Sequence, residues 1–520
     1  MPACSDCSMQ PGPPQKRSSL SMLQFAVFKD SAPADDWSLN HARLLDRDDL
    51  VVPGEIDFKN GLINCNRRGV RPTALLLQYD AGDSGRLSLQ TCLLPHREKP
   101  YILSVELARH RIAIFLAQAE IWQMHLSQEH PAMAMVQSAR QIFTRAMVTP
   151  DPVKADANGF KALGLALKAS ELLALAHAEV LIHRRYKERP ASRATFGTAV
   201  WPKQAGPVLQ DFVKNKLNFE LVRIPMEWGV VCPQEGVYDW EKFDRWVEWA
   251  VESKCMIIAG PLVNFNPGRM PLWMEQYKND FGEICDRAYD YVQNVVQRYG
   301  DNIGMYSVLA GVQTNLDYQL NLKQMIDLVR TLALVVRQGQ RNRRVMVELN
   351  HLWGEYLATE RDAVAPISFI EQLLQEGIRL DAVGLQILFG DARHAMPTRD
   401  LMELSKLVDR FLHLEPKLVI SSLGVPDSVV DENAGWWHSR WSPERQARWV
   451  SQALMLLLSK PFVEAAICSD LYDHELTVPA GGGLLSVDGK PKPVLKSWVA
   501  LKKYLSKPLG RRMKSSDTAS

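Results

Sequence analysis

Five carboxylates stand where apolar runs of the sequence give out into polar loops: Glu227, Glu348, Asp391, Asp470 and Asp473. Two carboxyl groups facing one another can divide acid–base work, one giving a proton while the other takes one or attacks. Glu348 and Asp470 are the pair whose positions suit that use, since each ends a short strand-like run. The plainer use of such acids is to cap helices or to pair with arginines such as Arg223 and Arg344. Aromatic rings fall in the same loops: Trp228, Phe265, Trp273, Tyr318, Trp353, Phe389, Trp436, Trp437, Trp441 and Tyr472. Their flat faces suit the C–H surface of a sugar ring as well as ordinary packing. "GWWHSRW" (435–441) reads as a lid. His351, His438 and His474 lie close by, but without His-x-x-x-His or comparable spacing, so neither a metal site nor a cofactor is expected.

These residues need a frame. From Arg193 onward, near-continuous apolar runs alternate with segments of helical periodicity. The expected strands are 195–200, 219–226, 256–263, 305–311, 345–349, 382–387, 418–423 and 464–469, with helices between them at 240–254, 321–339, 398–414 and 443–459 among others. That alternation predicts an α/β fold, a (β/α)8 barrel, whose working residues sit at the C-terminal strand ends.

Upstream the pattern differs. Between 22 and 104 short apolar runs alternate with turn signals, among them Asn60-Gly61 between two such runs, which predicts a hairpin in a small sandwich-like β-rich domain. Between 105 and 190 the apolar residues fall at helical spacing, broken near Thr149-Pro150-Asp151-Pro152. The expected units are therefore a disordered tail (1–21), a β-rich domain (22–104), a helical segment (105–190), the barrel (191–506) and a basic disordered tail (507–520).

Bulk properties exclude several classes. Basic and acidic residues nearly balance, 61 against 59, which gives no electrostatic case for nucleic acid. No run reaches membrane-spanning length and the N-terminus lacks a signal-peptide core, so a cytoplasmic protein without membrane contact is expected. The 8 cysteines are scattered, as reduced thiols are, and Cys4-x-x-Cys7 has no second pair to complete a zinc site.

Several stretches of the barrel resemble glycoside hydrolase family 10, the endo-β-1,4-xylanases. "RIPMEWGVVCPQEGVYDWEKFDRWVEWA" is similar to the strand-2 region, "IIAGPLVNFNPGRMPLWM" to strand 3, "GLQI" to the Gly-x-Gln of strand 6, and "GGGLLSVDGKPKPVLKSW" to the closing stretch. The resemblance runs from about Arg193 to Leu505. It implies a pair of glutamates, one acid/base and one nucleophile, roughly 5–5.5 Å apart. At the acid/base position, "MYSVLAGVQTN" puts Ala310 and Gly311 in place of Asn-Glu; at the nucleophile position, "SSLG" puts Ser422 in place of Glu and Gly424 in place of Asp. The sugar-binding Lys aligns with Glu227, the strand-3 His and Trp with Gly260 and Asn264, and the strand-6 His with Leu388, while Gln386 is kept.

Glycine has no side chain, and a lone serine is a poor nucleophile without a base. Acid/base catalysis alone is worth about 10²–10⁴ in rate. The expectation is therefore a xylanase-like scaffold that binds a β-1,4-linked oligo- or polysaccharide, or a protein partner, without cleaving it. Glu227, Trp228, Asn264, Trp273, Gln386, Trp436 and Trp437 are the expected contacts. Two alternatives stand beside it. Carboxylates moved one strand over could restore hydrolysis, since Glu348 neighbours Gly311, Asp470 neighbours Ser422, and adjacent strands lie about 4.7–4.9 Å apart. Or the cleft is filled and the protein is structural.

Overall fold

The computed structural model describes residues 21–67, 71–188, 194–202, 206–338, 340, 343–392 and 394–506. The Cys4/Cys7 pair and the two expected tails, apart from Ser21, lie outside the described residues.

Eight parallel strands form the centre: β1 (Thr195–Ala199), β2 (Leu221–Ile224), β3 (Met256–Ala259), β4 (Met305–Ala310), β5 (Arg344–Leu349), β6 (Ala382–Leu388), β7 (Lys417–Gly424) and β8 (Val463–Cys468). Each pairs with its sequence neighbour, β1 pairs with β8, and β3 pairs with β4, so the sheet closes on itself. Between and after them run α4 (Glu241–Glu252), α5 (Phe281–Tyr299), α6 (Leu322–Arg337), α7 (Pro366–Gln375), α8 (Leu401–Asp409), α9 (Pro443–Ser459) and α10 (Pro493–Ser506), preceded in the chain by α1 to α3 described below. This is the expected (β/α)8 barrel.

Its interior is layered by the two-residue strand period. Leu221, Ile258, Met305, Met346, Ala382 and Val419 form an apolar layer at the base. Two residues further along the same strands, on the same inward face, stand Arg223, Gly260, Ser307, Glu348, Gly384 and Ser421. The second layer is thus polar. Gly384 is required there, because a Cβ would come within 2.7 Å of Glu348 Cγ.

Upstream of the barrel lie a two-stranded ribbon (Phe28–Lys29 with Ala32–Pro33), two larger sheets and three helices. One sheet joins Ser21–Ala26, Glu55–Lys59, Leu62–Arg67 and Tyr101–Ile102. Its 55–67 hairpin turns at Asn60 and Gly61, both at positive φ (52° and 73°), the geometry a two-residue turn needs. The other sheet joins Arg43–Leu45, Val51–Val52, Ala74–Asp80, Gly85–Gln90 and, from the barrel itself, Trp436–Trp437. The helices α1 (Leu103–Ile121), α2 (Pro131–Val148) and α3 (Pro152–Glu188) pack together, and α3 lies against α8 and α9. Among the described residues no helix is long and apolar enough to cross a membrane.

This segment is tied to the loops after β6 and β7. Gln78 Nε2 donates to Asn433 O (2.7 Å), Ser88 N to Thr398 O (2.9 Å), and Trp437 Nε1 to Glu171 Oε1 (2.5 Å). Arg185 donates to the carbonyls of Leu458, Lys460 and Val463, satisfying groups that the end of α9 and the start of β8 leave open.

Candidate functional site

At the C-terminal end of β4 the chain turns through Gly311 at φ +77°, a backbone state that disfavours any residue with a Cβ. The space a side chain would take is already filled, since a Cβ on Gly311 would lie 2.6 Å from Asn266 Oδ1. Asn266 is held in turn by Asn350 Nδ2, and Gln313 Nε2 donates to Asn350 Oδ1 at 2.9 Å. A chain of amides therefore occupies the ground where the resemblance implies an acid.

Glu348, at the end of β5, is fully buried. Its Oε1 accepts from Ser307 Oγ (2.6 Å) and Arg223 Nη2 (3.0 Å); its Oε2 accepts from the same Nη2 (2.9 Å), Gln386 Nε2 (2.9 Å) and Ser421 Oγ (2.9 Å). Arg223 also donates from Nε to Gly260 O at 3.1 Å. Both carboxylate oxygens are saturated, so Glu348 neutralises Arg223 inside the barrel and has no lone pair turned outward. It does not line the mouth.

Above this polar layer lies a cavity of about 120 Å³. Glu227, Asn264, Gln386, Ser422 and Asp470 line it, together with Arg223, Arg269, His351 and His474. A site that encloses a whole small-molecule ligand commonly measures about 300–1,000 Å³, so this one has room for the end of a chain rather than its length. Its charges are paired. Arg269 Nη1 stands 3.6 Å from Glu227 Oε2. His474 Nδ1 accepts from Leu476 N (3.2 Å), which leaves Nε2–H to donate to Asp470 Oδ1 (3.1 Å). Trp201 stacks on the same imidazole, ring centroids 4.6 Å apart and 17° from parallel. With both nitrogens engaged, His474 cannot activate Ser422 as a base. Burial pushes the Asp470 carboxyl above the usual carboxylate range, against a smaller opposing effect of its His474 hydrogen bond.

The other residues expected at the site lie elsewhere. Trp228 is buried, stacked on Tyr291 (5.4 Å, 7°) and edge-on to Trp273, whose Nε1 donates to Cys232 O at 3.0 Å. Both are packing. Trp436 and Trp437 pair in antiparallel register with Arg86 and Gly85, so "GWWHSRW" fastens the N-terminal sheet to the barrel and is not a lid. Of the histidines considered for metal, His351 and His474 line the cavity while His438 contacts Glu171 (2.7 Å) in that fastening. Asp391 caps a turn at His394 N (3.2 Å), and Asp473 pairs with Lys492 (2.8 Å). Sequence reasoning passed over Arg269 and Asn266, which sit in a loop of ordinary composition. Only the preceding Asn264-Phe265 strand end marks the place.

A closed parallel barrel with its polar side chains gathered at the C-terminal strand ends is the architecture of many sugar-cleaving enzymes. The model of glycosyl hydrolase family 10 matches residues 186–474, more than half of the chain. The chain belongs to glycosyl hydrolase family 10. Endo-1,4-beta-xylanase A of Xylanibacter ruminicola is 24% identical over 191 residues, which is 35% of this chain and 49% of that protein. The chain thus spans about half the length of this curated relative. Among solved structures, xylanase 10B of Thermotoga petrophila RKU-1 in complex with xylobiose matches with a TM-score of 0.46 at 14% identity, over 62% of this chain and 97% of that one. Xylanase B of Clostridium stercorarium F9 matches with a TM-score of 0.45 at 16% identity, over 61% and 98%.

Proposed function

We propose that this chain is a family 10 barrel that binds the end of a β-1,4-linked saccharide in its mouth without hydrolysing it. One observation carries the reading: the strand-end acid Glu348 is locked by five hydrogen-bond contacts to Arg223, Ser307, Gln386 and Ser421, while Gly311 and Ser422 hold the positions of the implied glutamates. Glu227, Asn264 and Gln386 supply the polar contacts of the proposed saccharide site. We further take 22–104, 105–190 and 191–506 as its units; the change of element type at Leu103 and the end of α3 at Glu188 support these boundaries.

A second reading has its own support. Asp470, raised by burial and so suited to giving a proton, shares the cavity with Glu227, which lies 3.6 Å from Arg269. An acid and a carboxylate in different environments are the ingredients of glycoside hydrolysis.

One experiment separates the two. Purified protein is given xylobiose, xylotriose and aryl β-xyloside, with reducing ends and saturable binding both measured, beside Asp470→Asn and Gln386→Ala. Binding without turnover, weakened in Gln386→Ala, is expected. Turnover that Asp470→Asn abolishes would replace the first reading by the second, and absence of binding by every sugar would sink both.

A further inference from the structure

A second cavity, of about 810 Å³, opens at the seam where the N-terminal sheets, α1, α3 and the barrel meet. It is far roomier than the mouth and falls within the range of sites that enclose a whole ligand. Leu45 and Leu76 reach it from the sheet, Ile121 and Leu181 from the helices, Leu412 and Phe462 from the barrel. Ile121 is 67% exposed and Leu412 52%, so large apolar side chains face water at the edge of this open space.

Two tryptophans in the lining already carry ring and cation partners. Trp122 stacks on His177 (4.3 Å, 16°) on one side and has Lys460 Nζ 5.2 Å from its ring. Trp353 carries the Arg399 guanidinium at 4.5 Å and packs on Phe389 at 5.8 Å. These partners compete for the ring faces a sugar would stack on, whereas an aliphatic body needs no such face. His177 adds a polar point without charge: its Nδ1 has no hydrogen-bond partner, and burial pushes the imidazole down to about 3.

The charges favour an anion. Lys406 is paired with Glu403 (3.3 Å), Lys460 with Asp409 (2.7 Å), Arg47 with Asp48 (3.3 Å) and Arg399 with Glu355 (2.6 Å). Asp49 accepts from Gln90 Nε2 at 2.9 Å. Arg184, on α3, and Arg410, just past α8, are exposed lining residues whose side chains have no partner among the described residues.

We propose that the seam cavity binds an amphipathic anion, an acyl or similar apolar body with a carboxylate or phosphate head held by Arg184 and Arg410. Such a ligand touches sheet, helices and barrel at once, so it favours the state in which all three are docked.

The test is a calorimetric titration of the full chain with dodecanoate, dodecyl phosphate and, as the uncharged control, dodecyl maltoside, each below its micellar concentration. Both anions are expected to saturate, with the control at least about tenfold weaker. An Arg184→Gln/Arg410→Gln double variant should lose about tenfold or more for the anions and nothing for the control. Ile121→Glu, at an exposed position, should weaken all three; a thermal melt confirms that each variant is folded. The tighter of the two anions identifies the head group. The proposal is overturned by lack of saturation with both anions, by equal affinity for the control, by a double variant that binds the anions as the parent does, or by an Ile121→Glu variant that binds unchanged.

Discussion

Arg223 and Arg111 are both buried, and each holds a carboxylate, yet the two pairs hold different things together. Arg223 reaches from β2 to Glu348 on β5, and every other donor to that carboxylate also comes from a barrel strand. Arg111 reaches from α1 to Asp400, with Nη2–Oδ2 at 2.7 Å and Nη1–Oδ1 at 3.1 Å. Asp400 at the same time caps α8, accepting from Met402 N (3.0 Å) and Glu403 N (3.2 Å). The first pair closes the barrel interior beneath the mouth. The second fastens an added segment to the loop after β6. A buried acid at a strand end is therefore not in itself a sign of catalysis; what decides is whether its oxygens are already in use.

Breaking each pair is the strongest way to test that contrast. Removing one partner of a buried pair typically costs about 3–5 kcal/mol, because the remaining charge is left uncompensated. Glu348→Ala should lose at least this much, since Ser307, Gln386 and Ser421 also lose their acceptor, and the loss should appear as earlier unfolding of the whole barrel in urea. Asp400→Ala should cost a similar amount but distribute it differently, with α1–α3 opening to proteolysis or hydrogen exchange before the barrel. A Glu348→Ala protein that keeps its stability and loses a measurable hydrolysis would reverse the assignment of Glu348 to structure.

The next effect concerns the two positions where the resemblance implies glutamates. A Gly311→Glu/Ser422→Glu variant places a glutamate at each, and no aryl β-xyloside hydrolysis is expected of it. A side chain on a left-handed backbone costs about 1–2 kcal/mol, and Asn266 must move besides. Urea titration should register the loss at Gly311 alone. Turnover in the double variant would mean that the site is only two residues away from activity, and that the amide chain through Asn266 yields easily.

How much of this could be read beforehand follows from which interactions are local. The eight strands are near-continuous apolar runs and the Asn60-Gly61 hairpin is a local turn, so both were legible in the sequence. The alternative use of the strand-end acids was legible too: Arg223, a lone cation between Val222 and Ile224, needs an anion inside the barrel, and Arg344 finds Glu464 at 2.5 Å. The joining of Trp436–Trp437 to Gly85–Arg86 was not, because two residues pairing with a strand about 350 positions away leave no periodic trace. The aromatic residues misled for a related reason. A tryptophan at a strand end suits a sugar or a neighbouring ring equally, and Tyr291, which decides for Trp228, lies on α5.

The smallest effect sharpens the comparison by pH. Burial pushes His110 and His177, on α1 and α3, down to about 3, while Asp470 in the mouth is pushed up. The signs are opposite. A histidine kept neutral by folding takes its proton near 6.5 only when unfolded, so between about 6.5 and 3 the unfolded chain binds more protons and folding weakens as pH falls. Asp470 is penalised by burial only while ionised, and that penalty is relieved as pH falls through its raised value. The mouth also holds His351, lowered by burial in the same way, but there Asp470 opposes it, whereas α1 and α3 carry two such histidines; acid should accordingly loosen the helical segment before the barrel mouth, with a slope of at most about 1.4 kcal/mol per pH unit for each histidine. Hydrogen exchange at pH 5 and pH 7 reads this directly: α1 and α3 should lose protection relative to β1–β8 at the lower pH, and a His110→Gln/His177→Gln variant should lose that difference. Equal relative protection at both values would show that the seam, not the titration of its histidines, sets the stability of the attached segment.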